Sequence, residues 1–160
     1  MPAKPTDPST AGRDARRLST LLEVSQCLSG TLNLKSALQR VLQTLIRHHS
    51  VVRGMVTLVR DGELHVEAVE GFEDRARTVR FKIGEGITGK VVESGKPIVV
   101  PRISREPQFL NLMPRRPDHL KSELTFICVP IVANRTPVGA LAVDLRFKAE
   151  RDYDSSVKFF

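Results

Sequence analysis

Residues 80–101, RFKIGEGITGKVVESGKPIVVP, decide the fold class of this chain of 160 residues. At its start, Val79 and Phe81 alternate with basic residues, the period of a half-buried strand. A glycine-rich turn follows, and then apolar residues at helical spacing, until Gly95 and Pro97 end the helix. The apolar residues IVV come next. The stretch therefore predicts a strand, a glycine turn, a short helix and a second strand.

Residues 84–89, GEGITG, match the G-x-G-x-x-G pattern of dinucleotide-binding loops. That fingerprint requires a full crossover helix and an acidic residue about 20 residues further on. The helix predicted here has room for only about two turns, and residues 96–101 contain no acid. We therefore interpret these glycines as serving a tight turn and close packing.

Apolar periodicity and turn residues predict the remaining elements. These are a helix from Asp14 to Ser29, a helix capped by Asn33 and ending at His48 and His49, strands Val51–Val59 and Leu64–Glu70 joined by an Asp-Gly turn, strands Leu124–Val132 and Pro137–Leu145, and a last helix capped by Asp152. Residues 1–12 are predicted to be a disordered lead-in, and residues 13–160 a single domain whose last helix is truncated.

Leu18, Leu21, Leu22, Ser25 and Leu28 form one stripe of the first helix. The stripe fits packing on the domain itself. It also fits a dimer seam, since its rhythm is close to a heptad. Two heptads do not decide between these interpretations, and both stay open.

The alternation of residues along each strand also predicts which side chains share one face of the sheet. Leu64, Val66 and Ala68 alternate with polar residues, which predicts one buried and one wet face of that strand. In the strand from Leu124, Phe126 and Cys128 are expected on one face of the sheet, and Thr125, Ile127 and Val129 on the other.

Composition narrows the class of function. The net charge is +7, but arginines occur along the whole chain, with one Tyr and no Trp. A nucleic-acid interface favours clustered basic residues with aromatics between them, so a small anionic ligand or an acidic protein surface fits better. Cys27 and Cys128 form neither a disulfide framework nor a zinc motif. Without a signal peptide or an apolar span, we expect a cytoplasmic protein that does not enter a membrane.

Catalytic patterns are missing from the sequence. It contains no G-x-S-x-G, no P-loop and no H-E-x-x-H. Cys128, on a strand predicted to be buried, is interpreted as a small core residue rather than a nucleophile. We therefore predict a binding module, not an enzyme, with no catalytic or metal-binding residue.

Two separated motifs carry a family resemblance: FKIGEGITGKVVESGKPIVVPRIS at residues 81–104 and LTFICVPIVANRTPVGALAVD at residues 124–144. In this order they resemble a GAF domain, the small sensory module of bacterial regulators. From about Leu18 to Phe160 the chain is most similar to the N-terminal GAF domains of NifA-family activators of nitrogen fixation. The resemblance implies an α+β fold with a central antiparallel sheet of five or six strands. Helices pack on one face, and a lid of loop and short helix covers the other.

The irregular residues 102–121 correspond to that lid in the family, or else form a solvated loop pinned by its apolar residues. A pocket is expected between sheet and lid. By position, its walls include Phe81, Ile83, Ile87, Val99, Arg102, Arg105, Phe109, Arg115, Arg116, Ser122, Phe126 and Cys128. The four arginines can make bidentate contacts to a carboxylate.

The resemblance implies a regulatory ligand-sensing domain that controls the ATPase domain of a sigma-54-dependent activator, with 2-oxoglutarate as the leading effector. Cyclic nucleotides come second, because the N-K-x-D signature of that branch is absent, and the bilin-attachment pattern is missing too. The alternative is a protein-interaction module without a ligand, which forms a homodimer or receives a NifL-type antagonist. DNA is then contacted only by other domains of the full-length protein.

Overall fold

The computed structural model describes residues 8–29, 33–105, 124–149 and 153–160. The helices in these ranges are α1 (Pro8–Ser29), α2 (Leu34–His48), α3 (Gly86–Ser94) and α4 (Tyr153–Phe159). The strands are β1 (Val51–Arg60), β2 (Glu63–Glu70), β3 (Arg80–Lys82), β4 (Ile98–Val100), β5 (Leu124–Ala133) and β6 (Thr136–Arg146). Short 3-10 helices lie at Asp74–Thr78 and Ile103–Arg105. None of the helices in the described ranges is long and apolar enough to cross a membrane.

The strands form one antiparallel sheet in the order β3-β2-β1-β6-β5-β4. Tight turns close its two hairpins. Asp61 and Gly62 join β1 to β2 with φ of 51° and 78°, and Asn134 and Arg135 join β5 to β6 with φ of 51° and 64°. Two successive residues with positive φ suit the right-handed twist of the flanking strands. The predicted α+β fold is confirmed, with six strands.

Each face of the sheet has its own apolar core. Helices α2 and α4 cover one face, which we call the α2 face, where Leu42 and Leu45 pack against Ile127 and Val143. Helix α3 covers part of the other, which we call the α3 face. The predicted cap of α2 is confirmed, since the side chain of Asn33 accepts a hydrogen bond from a backbone N–H of the first turn. Because α3 covers only part of the α3 face, that face has room for a pocket.

A β-bulge at Glu67 interrupts the predicted alternation of β2. Between Val66 and Ala68, β2 advances by two residues while β1 advances by one. Ala68 therefore packs on the α2 face, although Val66 packs on the α3 face. Glu67, predicted to be wet, is buried, and its carboxylate lies 2.9 Å from the guanidinium of Arg60. The prediction of one uniform buried face was wrong, because a bulge shifts every later side chain to the opposite face.

Helix α1 begins at Pro8, earlier than the predicted Asp14, so a disordered lead-in over residues 1–12 is wrong for residues 8–12. Leu18, Leu21 and Leu22 are 60%, 53% and 58% exposed. The described part of the leucine stripe therefore does not pack on its own domain. Instead Thr20, on the opposite side of α1, is buried beside α2.

Candidate functional site

The glycine turn before α3 uses its backbone amides within the fold. Gly84 N–H donates to the carbonyl oxygen of Gly89 at 2.9 Å, and Glu85 N–H donates to that of Lys82 at 3.0 Å. The side chain of Glu85 in turn accepts from the N–H of Lys82 at 3.2 Å. A phosphate-binding loop presents such amides to its ligand. The interpretation of this motif as a turn is confirmed.

The α3 face brings together four of the side chains predicted to line a pocket. Phe81 comes from β3, Ile87 from the first turn of α3, and Phe126 and Cys128 from β5. All four are buried in one apolar cluster. The alternation predicted for β5 is confirmed, since Ile127 packs on the α2 face.

Two predicted wall residues lie elsewhere. Val99 packs on the α2 face, whereas its neighbour Val100 points to the α3 face, because successive side chains of a strand alternate. Ile83 is 42% exposed in the turn after β3, outside the apolar cluster. The placement of Val99 and Ile83 in the pocket wall was therefore wrong. The remaining predictions of this region fall outside the described residues: Phe109, Arg115, Arg116 and Ser122.

A cavity of about 380 Å³ lies at the end of β4 and is lined by Val100, Pro101, Arg102, Arg105 and Phe147. The guanidinium carbon of Arg102 lies 4.2 Å from the ring centroid of Phe147, a cation–π contact that holds the side chain in place. Its buried Nε has no hydrogen-bond partner among the described residues. Arg105 is exposed at the rim. The cavity therefore combines an apolar wall with two guanidinium groups.

A row of side chains crosses four strands and ends at this cavity. Arg53 on β1, Asp144 on β6, Phe126 on β5 and Val100 on β4 are successive cross-strand neighbours. Nε and Nη2 of Arg53 lie 3.1 and 2.9 Å from Oδ2 of Asp144, a side chain that is only 1% exposed. The guanidinium of Arg53 also stacks 4.8 Å from the ring centroid of Phe72. An ion pair shielded from water thus lies on the same face as the cavity.

Sequence reasoning missed both Phe147 and the pair of Arg53 with Asp144. For Asp144 a signal existed, because a lone acid stands in the apolar run of residues 138–145. A charged residue at a buried position needs a partner of opposite charge. Phe147 follows the end of β6, and no local pattern distinguishes it from a surface residue.

Cys128 is fully buried, and burial raises the pKa of its thiol to about 12, although a hydrogen bond with Thr88 opposes the shift. The thiolate is the reactive form of cysteine, so this thiol is inert at neutral pH. Among the described residues, no group of three His, Cys, Asp or Glu side chains is placed to hold a metal ion.

The sequence matches one family model and is similar to parts of curated nitrogen-fixation proteins. The GAF domain family matches residues 33–156. The nitrogen fixation protein VnfA of Azotobacter vinelandii is 40% identical over 144 residues, which are 87% of this chain and 26% of that protein. The Nif-specific regulatory protein of Azospirillum lipoferum is 38% identical over 129 residues, or 79% of this chain and 21% of that protein. This chain therefore spans about a quarter of the length of the curated relatives it matches.

Solved structures share the fold at lower identity. The A. aeolicus nlh2 GAF domain in an inactive state has a TM-score of 0.81 and 21% identity, over 92% of this chain and 90% of that one. The free methionine-R-sulfoxide reductase of Neisseria meningitidis has a TM-score of 0.72 and 16% identity, over 99% and 87% of the two chains. At such identities the likeness concerns the fold alone. Together with the match of residues 33–156, it leads to one conclusion: the chain belongs to the GAF domain family.

Proposed function

We propose that this chain is the regulatory, ligand-sensing GAF domain of a NifA-type, sigma-54-dependent activator of nitrogen fixation. It controls a downstream ATPase domain in the cytoplasm, while other domains contact DNA. The likeness to VnfA and to Nif-specific regulatory proteins supports this setting. Its span of about a quarter of their length fits one sensory unit within a larger regulator.

The arginine-lined cavity at the end of β4 carries the proposal. Its described lining offers the guanidinium groups of Arg102 and Arg105 beside the ring of Phe147. A guanidinium binds a carboxylate through two parallel hydrogen bonds, and Arg102 is already oriented by its aromatic neighbour. The ligand class is a small carboxylate dianion, and 2-oxoglutarate is the proposed effector. Among the described residues of the lining there is no acid and no nucleophile, and we assign binding rather than catalysis to this cavity.

Binding acts on the output by shifting a conformational equilibrium. Phe126 and Val100 link the cavity to the buried pair of Arg53 and Asp144 across the sheet. A ligand that prefers one arrangement of this face changes the population of that arrangement. Helices α1 and α4, at the two ends of the described chain, are the elements that pass the change on.

Isothermal titration calorimetry of the chain with 2-oxoglutarate tests the proposal, with cyclic GMP as the control ligand. We expect saturable binding of 2-oxoglutarate alone. Arg102→Gln and Arg105→Gln each raise the Kd about tenfold or more, because each removes a charge-assisted contact. Arg135→Gln, on the exposed β5–β6 turn, leaves the Kd unchanged. Absence of heat, or equal affinity in all three variants, overturns the assignment of this cavity.

A second candidate function rests on a different observation, the exposed leucines of α1. Leu18, Leu21 and Leu22 lie side by side on the surface turned away from the domain. Exposed apolar patches of this kind mark protein–protein contacts. In this alternative the domain binds no small molecule, and α1 pairs with a second copy or receives a NifL-type antagonist.

Analytical ultracentrifugation separates the two outcomes for α1. If α1 forms the homodimer, the double variant Leu18→Ser, Leu22→Ser shifts the protein to the monomer. Leu34→Ser, an equally exposed leucine on α2, serves as the matched control and leaves the mass unchanged. If the wild-type protein is monomeric at all concentrations, the homodimer is ruled out. The patch is then assigned to the antagonist if the wild type binds a NifL-type protein and the double variant Leu18→Ser, Leu22→Ser does not.

A further inference from the structure

Three helices meet at His49, directly after the last residue of α2. The backbone N–H of His49 donates to the carbonyl oxygen of Leu45 at 2.9 Å and so ends the helix. Its ring lies between the other two helices. Nε2 is 2.6 Å from Oγ1 of Thr20 on α1, and the ring centroid is 4.5 Å from that of Phe159 on α4. One imidazole therefore touches both terminal helices.

The hydrogen bonds around Thr20 favour one tautomer of this imidazole. The hydroxyl of Thr20 donates its single proton to the carbonyl oxygen of Arg16 at 2.9 Å. Toward His49 it can therefore only accept, so Nε2 of His49 carries the proton and Nδ1 is bare in the neutral ring. Thr20 is buried, which shields this hydrogen bond from water.

Arg17 makes a second connection between α1 and α4. Its guanidinium donates to Oγ of Ser155 at 2.5 Å and lies 5.5 Å from the ring centroid of Phe159. The two residues of this hydrogen bond are 138 positions apart in sequence. The two ends of the described chain are thus joined at one place, where both His49 and Arg17 lie against the ring of Phe159.

The surroundings of His49 disfavour its charged form. Burial lowers the pKa of His49 first, followed by the positive charges of His48 on α2 and of Arg17 and Arg16 on α1. The carboxylate of Glu23 pairs with His48 and Arg47. On α4, the side chains of Asp154 and Lys158 are exposed, and the contact with His49 comes from an aromatic ring. A proton added to His49 therefore enters a half-buried site beside two arginines.

We propose that His49 is a proton-sensitive clasp: in its neutral form it joins α1 to α4 across the end of α2, and protonation loosens both terminal helices from the domain. Because the pKa of His49 is lowered by folding, its contribution to the closed junction is complete above the ordinary value of 6.5 and is lost as the pH falls below it. The clasp needs no ligand in the cavity, so its test is independent of the proposed effector.

Hydrogen exchange of the backbone amides of α1 and α4, corrected for intrinsic rates, measures the opening directly. Between about pH 7.5 and about pH 5.5, we expect the opening constant of α4 in the wild type to rise at least about twofold. His49→Gln keeps a donor toward Thr20 but does not titrate, so its opening constant stays the same at both values. His65→Gln, the matched control on β2, removes a histidine that is not among the charges acting on His49, and it behaves as the wild type.

A pH-dependent opening that persists unchanged in His49→Gln overturns the proposal, as does a wild type without any pH-dependent opening. Should His49→Gln not fold, nitrogen-detected magnetic resonance of the wild-type imidazole decides the question. The clasp requires a neutral ring protonated on Nε2 and a midpoint below that of a free histidine. A ring protonated on Nδ1, or a midpoint at or above the free value, contradicts it.

Discussion

A β-carbon placed on Gly89 would lie 2.3 Å from the carbonyl oxygen of Lys82. The first turn of α3 therefore approaches the end of β3 more closely than any residue with a side chain permits. This contact explains why the sequence carries a glycine at the last position of the GEGITG motif. The resemblance of the motif to a dinucleotide loop has its cause in helix–strand packing.

Gly89→Ala tests this packing. We expect the free energy of unfolding to fall by about 1–3 kcal/mol, because backbone atoms must move to admit the methyl group. Urea denaturation measures the change. Gly12→Ala on α1 is the matched control, since no heavy atom lies within 4 Å of the added carbon. An equal loss of stability in both variants contradicts the explanation.

Asp144→Asn removes the charge that neutralises Arg53 in the sheet. The expected loss is about 3 kcal/mol or more, because the buried guanidinium of Arg53 loses its ion pair with the carboxylate of Asp144. The pair of Arg75 and Glu73, with side chains 66% and 71% exposed, supplies the comparison. There Glu73→Gln costs about 0.5 kcal/mol or less. Thermal or chemical denaturation of both variants checks the prediction, which fails if the two losses are alike.

The thiol of Cys128 is predicted to be unreactive while the protein is folded. In a Cys27→Ser background, a thiol reagent at neutral pH reacts at least about a hundredfold more slowly than in urea, since access requires an opening of about 3 kcal/mol or more. Equal rates in buffer and in urea contradict the burial of this side chain.

Cys128 also gives the stability a dependence on alkaline pH. Folding raises its pKa from 9.0 to about 12, so above pH 9 the unfolded chain releases a proton that the folded chain retains. Its contribution to stability is complete below about pH 9 and is lost as the pH rises toward 12. Unfolding of the Cys27→Ser protein and of a Cys27→Ser, Cys128→Ala variant across this range measures the difference. Parallel pH curves of the two proteins refute the linkage.

Arg135→Gly should stabilise the β5–β6 turn. Arg135 has a φ of 64°, which costs a residue with a β-carbon about 1 kcal/mol. Glycine at this position of an Asn-Gly turn removes the cost, so the melting temperature is expected to rise. Arg135→Ala removes the same side chain and keeps the strain, and it should show no rise. A rise in both variants points to the charge of Arg135 instead of its backbone.

Local signals explain how much of the fold was predictable. An Asp-Gly pair between two alternating segments, such as Asp61 and Gly62, predicts a hairpin. Gly95 ends α3 in the left-handed conformation that only glycine adopts readily. Local signals could not predict on which side of the sheet Val99 packs. Its strand has three residues, so its phase is set by the pairing with β5 rather than by its own sequence.

The candidate site was predictable in part, and Arg102 and Arg105, named from the sequence, line the cavity. Phe81 and Phe126 lie in strands whose alternation indicates which side chains point inward. The ion pair of Arg53 and Asp144 joins residues 91 positions apart. Phe147 likewise contacts Arg102 from a distant position in the sequence. Such contacts depend on which strands become neighbours, information that no short window of sequence contains.

The two edges of the sheet limit how copies of this domain meet. Strands β3 and β4 have three residues each; β3 exposes Arg80 and Lys82, and β4 stands between Pro97 and Pro101. Short edges with charged or proline neighbours resist pairing with a strand of another molecule. Pairing of two copies through the edges that the described strands form is therefore disfavoured, which protects the domain from edge-to-edge aggregation.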